Sequence, residues 1–119
     1  GEDASAVEFH IWSDGSFVQA SDRRLKDNIV DSGPALETVR SIQVREFDKG
    51  ENHHSHGFIA QELAEVYPEV TVPPAERDGD KGAWGVNYPR MVPILVKAIQ
   101  EQQAMIDELK AEVAALKGA

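Results

Sequence analysis

The most regular pattern of apolar positions lies at the C-terminal end of the chain. Val92, Leu95, Ile99, Gln102, Ile106, Leu109, Val113 and Leu116 step by three and four without a break. This predicts one helix over residues 91–119 with a coiled-coil seam. A helix packed only on its own domain would show a wider apolar stripe, so the strict a/d register favours self-association. The number of strands stays open at this point. β-Branched residues at a with Leu at d favour dimers, whereas Gln102 at a d position costs stability and fixes register or strand number.

Upstream the patterns are shorter. Val7, Phe9 and Ile11 alternate with polar neighbours, Asp14-Gly15 is a turn signal and Phe17-Val18 resumes the strand, predicting a hairpin over residues 7–18. A polar stretch from Gln19 to Asp31 follows, with Leu25, Ile29 and Val30 as its larger apolar residues. Ser32 or Gly33 can cap a helix with Pro34 at its first position and Leu36, Val39 and Ile42 on one face. Val44 and Phe47 suggest a strand, and Asp48 to Ser55 a polar, histidine-rich turn. Phe58 or Ile59, Leu63, Val66 and Tyr67 share a helical face that Pro68 ends. Residues 73–85 are expected to form a loop. Trp84, Val86 and Tyr88 alternate as a short strand, and Pro89 turns the chain into the last helix. The fold class expected is α+β: a small mixed domain with a short β-hairpin stem at its N-terminus and a long C-terminal helix.

Composition narrows the functional classes. A chain of 119 residues, 41% of them apolar, makes one domain with a modest core. Its 21 acidic residues outnumber 12 basic ones for a net charge of -9, with the excess confined to residues 1–89. Such a surface repels phosphate backbones, which speaks against nucleic acid as a partner. The basic cluster Arg23, Arg24, Lys26 does not reverse this, because Asp22 and Asp27 flank it. Cysteine is absent, excluding disulfides, thiolate metal sites and cysteine nucleophiles. No stretch approaches the roughly 20 apolar residues of a membrane span. Gly1 to Ala6 lacks the pattern of a signal peptide, and the protein is expected to begin well upstream.

One segment pairs groups able to do chemistry. Ser21 and Lys26 stand five residues apart in Ala20-Ser21-Asp22-Arg23-Arg24-Leu25-Lys26. A serine hydroxyl needs a base to become a nucleophile, and a lysine is a base only when neutral. Burial or a cationic neighbour favours the neutral form; Arg23 and Arg24 offer charge and Leu25 some apolar cover. Taken as a bare pattern the pair is weak, and a solvated loop accounts for it equally well. His53, His54 and His56 cluster, and the H-x-H pair would share a strand face, where two imidazoles could bind one metal. With no carboxylate at a telling spacing, a polar loop is the reading adopted, without metal or other cofactor. Trp12, Trp84, Tyr67 and Tyr88 are read as core or inter-subunit packing. Glu62 and Glu65 are read as an exposed helix face rather than a glycosidase pair.

Three segments in order carry a family resemblance. Ser21-Asp22-Arg23-Arg24-Leu25-Lys26-Asp27-Asn28-Ile29 resembles the opening signature of the intramolecular chaperone domain that ends phage endosialidases, tailspikes and tail fibres, with a relative inside myelin regulatory factors. Gly57 to Glu62 with Val66-Tyr67-Pro68-Glu69 resembles its central helix. Val86-Asn87-Tyr88 with Pro93 to Gln102 resembles its exit into a coiled coil. The resemblance implies a parallel homotrimer that folds a β-rich fibre upstream in the same chain and then releases itself. It implies a cut at Ala20–Ser21, with Ser21 as nucleophile and Lys26 as general base. Residues 1–20 would then end the fibre stem, 21–90 form the chaperone and processing core, and 91–119 the coiled coil. Assembly would take place in the host cytoplasm, the upstream part ending in the virion tail. A non-cleaving trimerisation cap is the alternative.

Overall fold

The computed structural model describes residues 9–51, 53–75 and 82–118. Val7, the first residue of the expected hairpin, lies outside them. The chain divides into two units, residues 1–32 and 33–119. The architecture is α+β, built of small antiparallel hairpins and one long C-terminal helix.

In the first unit, β1 (Phe9–Ile11) pairs with β2 (Phe17–Gln19) in the register Ile11↔Phe17. The connection is longer than the two-residue turn expected. Trp12 N–H donates to the Ser16 carbonyl (2.8 Å) and Gly15 N–H to the Trp12 carbonyl (2.9 Å). Gly15 takes φ +90°, a conformation that a residue without Cβ adopts readily. Asp14 organises this loop, its carboxylate accepting from the Ser16 amide and hydroxyl. A single-turn 3-10 helix, Arg23–Leu25, follows. Between Ile11 and Ser32 only Leu25 is even half-buried. Among the described residues of this unit, the apolar side chains of Ile11, Trp12, Phe17, Val18, Ile29 and Val30 are exposed.

The second unit holds the core. Leu63, at 2% exposure, and Val70, at 0%, meet Met91, with Ile42, Phe58, Tyr67 and Val86 packed around them. Leu63 comes from α2 (Ala60–Val66), which is shorter at its start than the sequence suggests. Gly57 belongs instead to a strand, and Phe58 and Ile59 lead into the helix. Pro68 ends α2 as expected and opens a 3-10 turn, Pro68–Val70, that drives Val70 into the core. Next, β5 (Thr71–Val72) pairs with β6 (Gly85–Val86), and Asn87 N–H donates to the Val70 carbonyl at 2.7 Å. Of the alternating residues Trp84, Val86 and Tyr88 of the expected strand, Val86 is therefore in β6 and the other two are not. Tyr88 lies in a 3-10 turn and stacks on Phe58, ring centroids 5.7 Å apart.

The histidine segment departs most from expectation. β3 (Arg45–Asp48) pairs with β4 (His54–Gly57), so His54 and His56 stand on a strand and not in a loop. Gly57 leaves room there: a Cβ would lie 3.3 Å from the Phe47 ring and the Tyr88 hydroxyl, so a larger residue would push these side chains by a few tenths of an ångström.

Two helices complete the unit. α1 (Leu36–Arg40) packs on α3 (Met91–Gly118), with Ala35, Leu36, Ile94 and Ala98 buried. Neither Ser32 nor Gly33 caps α1. Its cap comes from far along the chain, where Glu101 Oε2 accepts from the Ala35 and Leu36 amides at 2.8 and 2.9 Å. A carboxylate suits the positive end of a helix. α3 is thus two-sided over its first three turns. Met91, Ile94, Ala98 and Glu101 face the chain's own core, while Val92, Leu95 and Ile99 are exposed. From Gln102 to Gly118 every residue is exposed. No helix among the described residues is long and apolar enough to cross a membrane.

Candidate functional site

The turn that holds Ser21 and Lys26 is built by its own side chains. Asp22 is extended (φ -67°, ψ 138°) and caps the 3-10 helix Arg23–Leu25, its Oδ1 accepting from the Arg24 amide at 2.7 Å. Leu25 N–H donates to the Asp22 carbonyl and Lys26 N–H to that of Arg23. Lys26 leaves the turn extended (φ -127°, ψ 139°). The turn reverses the chain enough for residues five apart to meet. Lys26 Nζ donates to Ser21 Oγ at 2.6 Å. Asn28 follows with φ +52°, a left-handed conformation that asparagine tolerates better than most residues.

The surroundings of the pair differ from the expectation in one respect. Arg24 is turned onto Asp22, with Nε at 3.1 Å from Oδ1 and Nη2 at 2.9 Å from Oδ2. This hydrogen-bonded guanidinium holds the Asp22 carboxyl below the ordinary aspartate range. Arg24 is therefore spent on a carboxylate rather than left as a bare cation beside the lysine. Ala20, Ser21 and Lys26 are all exposed in the single chain. As placed, an ammonium donates to the hydroxyl. For the hydroxyl to lose its proton the polarity of that contact must reverse, the neutral amine accepting along the same 2.6 Å line.

A second polar cluster lies on the β3–β4 hairpin, away from this turn in sequence. Cross-strand pairing sets Glu46 opposite His56 and Asp48 opposite His54. His54 Nε2 is 3.0 Å from Glu46 Oε1 and its Nδ1 3.4 Å from Asp48 Oδ1. His56 Nε2 approaches the same Glu46 oxygen at 3.2 Å. Ionised carboxylates only accept, so both His54 contacts are hydrogen bonds only when its ring is doubly protonated. Glu46, then Asp48, accordingly raise the His54 pKa above its ordinary value. Among the described residues no group of three or more such side chains is placed to hold a metal ion. Nor is Glu62 a mere solvated charge, since Arg45 grips it through Nε and Nη2 at 3.0 and 2.9 Å.

The His54 pairing has a sign. A histidine with a raised folded-state pKa adds stability below its unfolded value, near 6.5. That contribution is lost as pH rises through the folded value. The β3–β4 hairpin is expected to open more readily at pH 8 than at pH 5.5. Amide exchange along Arg45–Asp48, corrected for intrinsic pH dependence, would reveal it, and His54→Gln would flatten the difference.

Sequence reasoning missed the Asp22 cap and the Glu46 and Asp48 partners of the histidines. The first was available as an N-cap residue type three positions before Leu25. The second needed the strand register.

Residues 21–72 match the family model described as chaperone of endosialidase, in a family that also bears the name of a peptidase. The match begins at Ser21 and agrees with the C-terminal chaperone domain that the signature resembles. No curated protein matches the chain.

Proposed function

We propose, from the match of residues 21–72 to the endosialidase chaperones, that residues 21–119 are a releasable folding chaperone. Three copies assemble through α3 as a parallel coiled coil, template the β-rich fibre or tailspike upstream, and leave by a cut at Ala20–Ser21. Residues 1–20 stay with the fibre, residues 21–90 form the processing core and residues 91–119 the coiled coil. This happens in the host cytoplasm during phage assembly, and the upstream product goes to the virion tail.

The single observation that carries the cut is the 2.6 Å contact between Lys26 Nζ and Ser21 Oγ, one residue past the scissile carbonyl. In the proposed reaction Lys26 takes the Oγ proton and Oγ bonds to the Ala20 carbonyl carbon. The Ala20–Ser21 amide bond breaks, and Lys26 passes the proton to the departing Ser21 nitrogen. The ester that results is hydrolysed by water, which leaves a carboxylate on Ala20 and returns a proton to Oγ. A lysine serves as a base only when neutral, a form that burial favours, and Lys26 is exposed in the single chain. Assembly with further copies is the proposed source of that burial, tying the cut to the trimer. A support for the trimer is the apolar edge of α3, which its own chain leaves exposed from Val92 to Leu116.

The test is intact mass over time after synthesis. Wild type is expected to give a fragment beginning at Ser21 and its complement ending at Ala20, while Ser21→Ala stays whole. An uncut wild type that still trimerises would favour a permanent cap over a released chaperone.

A further inference from the structure

Asp22 makes more contacts than a turn residue with an exposed side chain needs. Its carboxylate accepts three bonds, from the Arg24 amide at 2.7 Å, Arg24 Nε at 3.1 Å and Arg24 Nη2 at 2.9 Å. All of them stay within the turn. An exposed ion pair of this kind adds little to overall stability, so the arrangement acts on local shape. That shape is one turn of 3-10 helix with Ser21 immediately before its cap and Lys26 immediately after its end. Among the described residues, the hydrogen bonds that hold both flanking residues come from inside the turn. Lys26 is tied by its amide to the Arg23 carbonyl, and the Lys26–Ser21 contact spans the whole of it. A short 3-10 segment has poor hydrogen-bond geometry of its own and depends on its cap.

We propose that Asp22 is a positioning residue for the cut: by capping the Arg23–Leu25 turn it holds Lys26 Nζ on Ser21 Oγ. It touches neither the scissile carbonyl nor the reacting oxygen and acts through the turn alone. The proposal rests on the Ser21–Lys26 reading above. Capping needs an acceptor oxygen at that place and not a negative charge. Asparagine supplies the oxygen without the charge, and alanine supplies neither. The Arg24 guanidinium steadies the carboxylate but is not itself needed for the cap.

The measurement is the rate at which the Ser21 fragment appears after pulse synthesis of the full chain, followed from pH 6 to 10. Asp22→Ala is expected to slow the plateau rate at least about fivefold, the worth of an N-cap expressed as a rate. Asp22→Asn and Arg24→Ala are expected to stay within about threefold of wild type. The pH of half-maximal rate is expected to be the same in Asp22→Ala as in wild type. Oligomer mass by light scattering checks that each variant still assembles. Cleavage of Asp22→Ala at the wild-type rate would overturn the proposal and leave the dyad standing. Equal losses in Asp22→Ala and Asp22→Asn, or a moved pH midpoint, would also overturn it, by making the charge the active feature. A wild type that never cuts would bring down the dyad and this inference together.

Discussion

Lys26→Arg is expected to leave the chain whole, with the cut at Ala20–Ser21 slowed on the order of a thousandfold or more. The substitution is severe because it is otherwise mild. Arginine keeps the positive charge, a long side chain and donors able to reach Ser21 Oγ, where Lys26 Nζ now sits at 2.6 Å. What it removes is the ability to give up a proton, since the guanidinium stays charged at any pH a protein survives. If the lysine merely held the turn together, arginine would do nearly as well. Full-length mass persisting for Lys26→Arg, alongside a trimer of wild-type size, is the expected result. Cutting at the wild-type rate would show that Lys26 is not the base.

The second large effect is expected on assembly. Ile99 is 64% exposed and Ile106 is exposed too, and neither belongs to the chain's own core. Ile99→Asp with Ile106→Asp is expected to give a folded monomer by light scattering, with near-native helix content up to Glu101. Burying one isoleucine is worth about 1.5–3 kcal/mol, and in the proposed trimer each loss counts three times, about 5–9 kcal/mol per seam layer. The charges introduced would also face one another. Gln102→Leu is the converse case, expected to tighten the assembly while loosening its choice of strand number. Because cover for Lys26 is proposed to come from other copies, the aspartate pair is expected to stop the cut as well. A trimer surviving both aspartates would refute the seam.

How much of this was legible in the sequence depends on how far apart the interacting residues lie. α3 is plain, because the three-and-four stepping from Val92 to Leu116 fills nearly all of a 28-residue helix and no other element imitates it. The end of α2 at Pro68 followed from the missing amide. The strand β4 did not show itself. His54-Ser55-His56-Gly57 has no apolar alternation, and it is a strand through its pairing with Arg45–Asp48, which also brings Glu46 and Asp48 to the histidines. The cap of α1 was invisible for a similar reason, its donor amides and acceptor carboxylate being 65 and 66 positions apart. At the candidate site, residue types and spacing named Ser21 and Lys26 only through the family signature. The turn between them was readable in principle, since Asp before a short polar segment is a capping signal. Composition alone shows Asp22 only as a charge that offsets its basic neighbours.

The two-sidedness of α3 has a consequence for how this chain can change. Between Met91 and Glu101 most positions are committed, either to the core and the α1 cap or to the exposed edge. Past Gln102 the chain's own fold asks nothing of the sequence, and only the heptad frame matters. That makes the distal half of the helix an interchangeable part. A foreign three-stranded coil spliced in frame after Glu101 is compatible with the core as it stands, whereas a one-residue slip before Glu101 swings the α1 cap away from its amides.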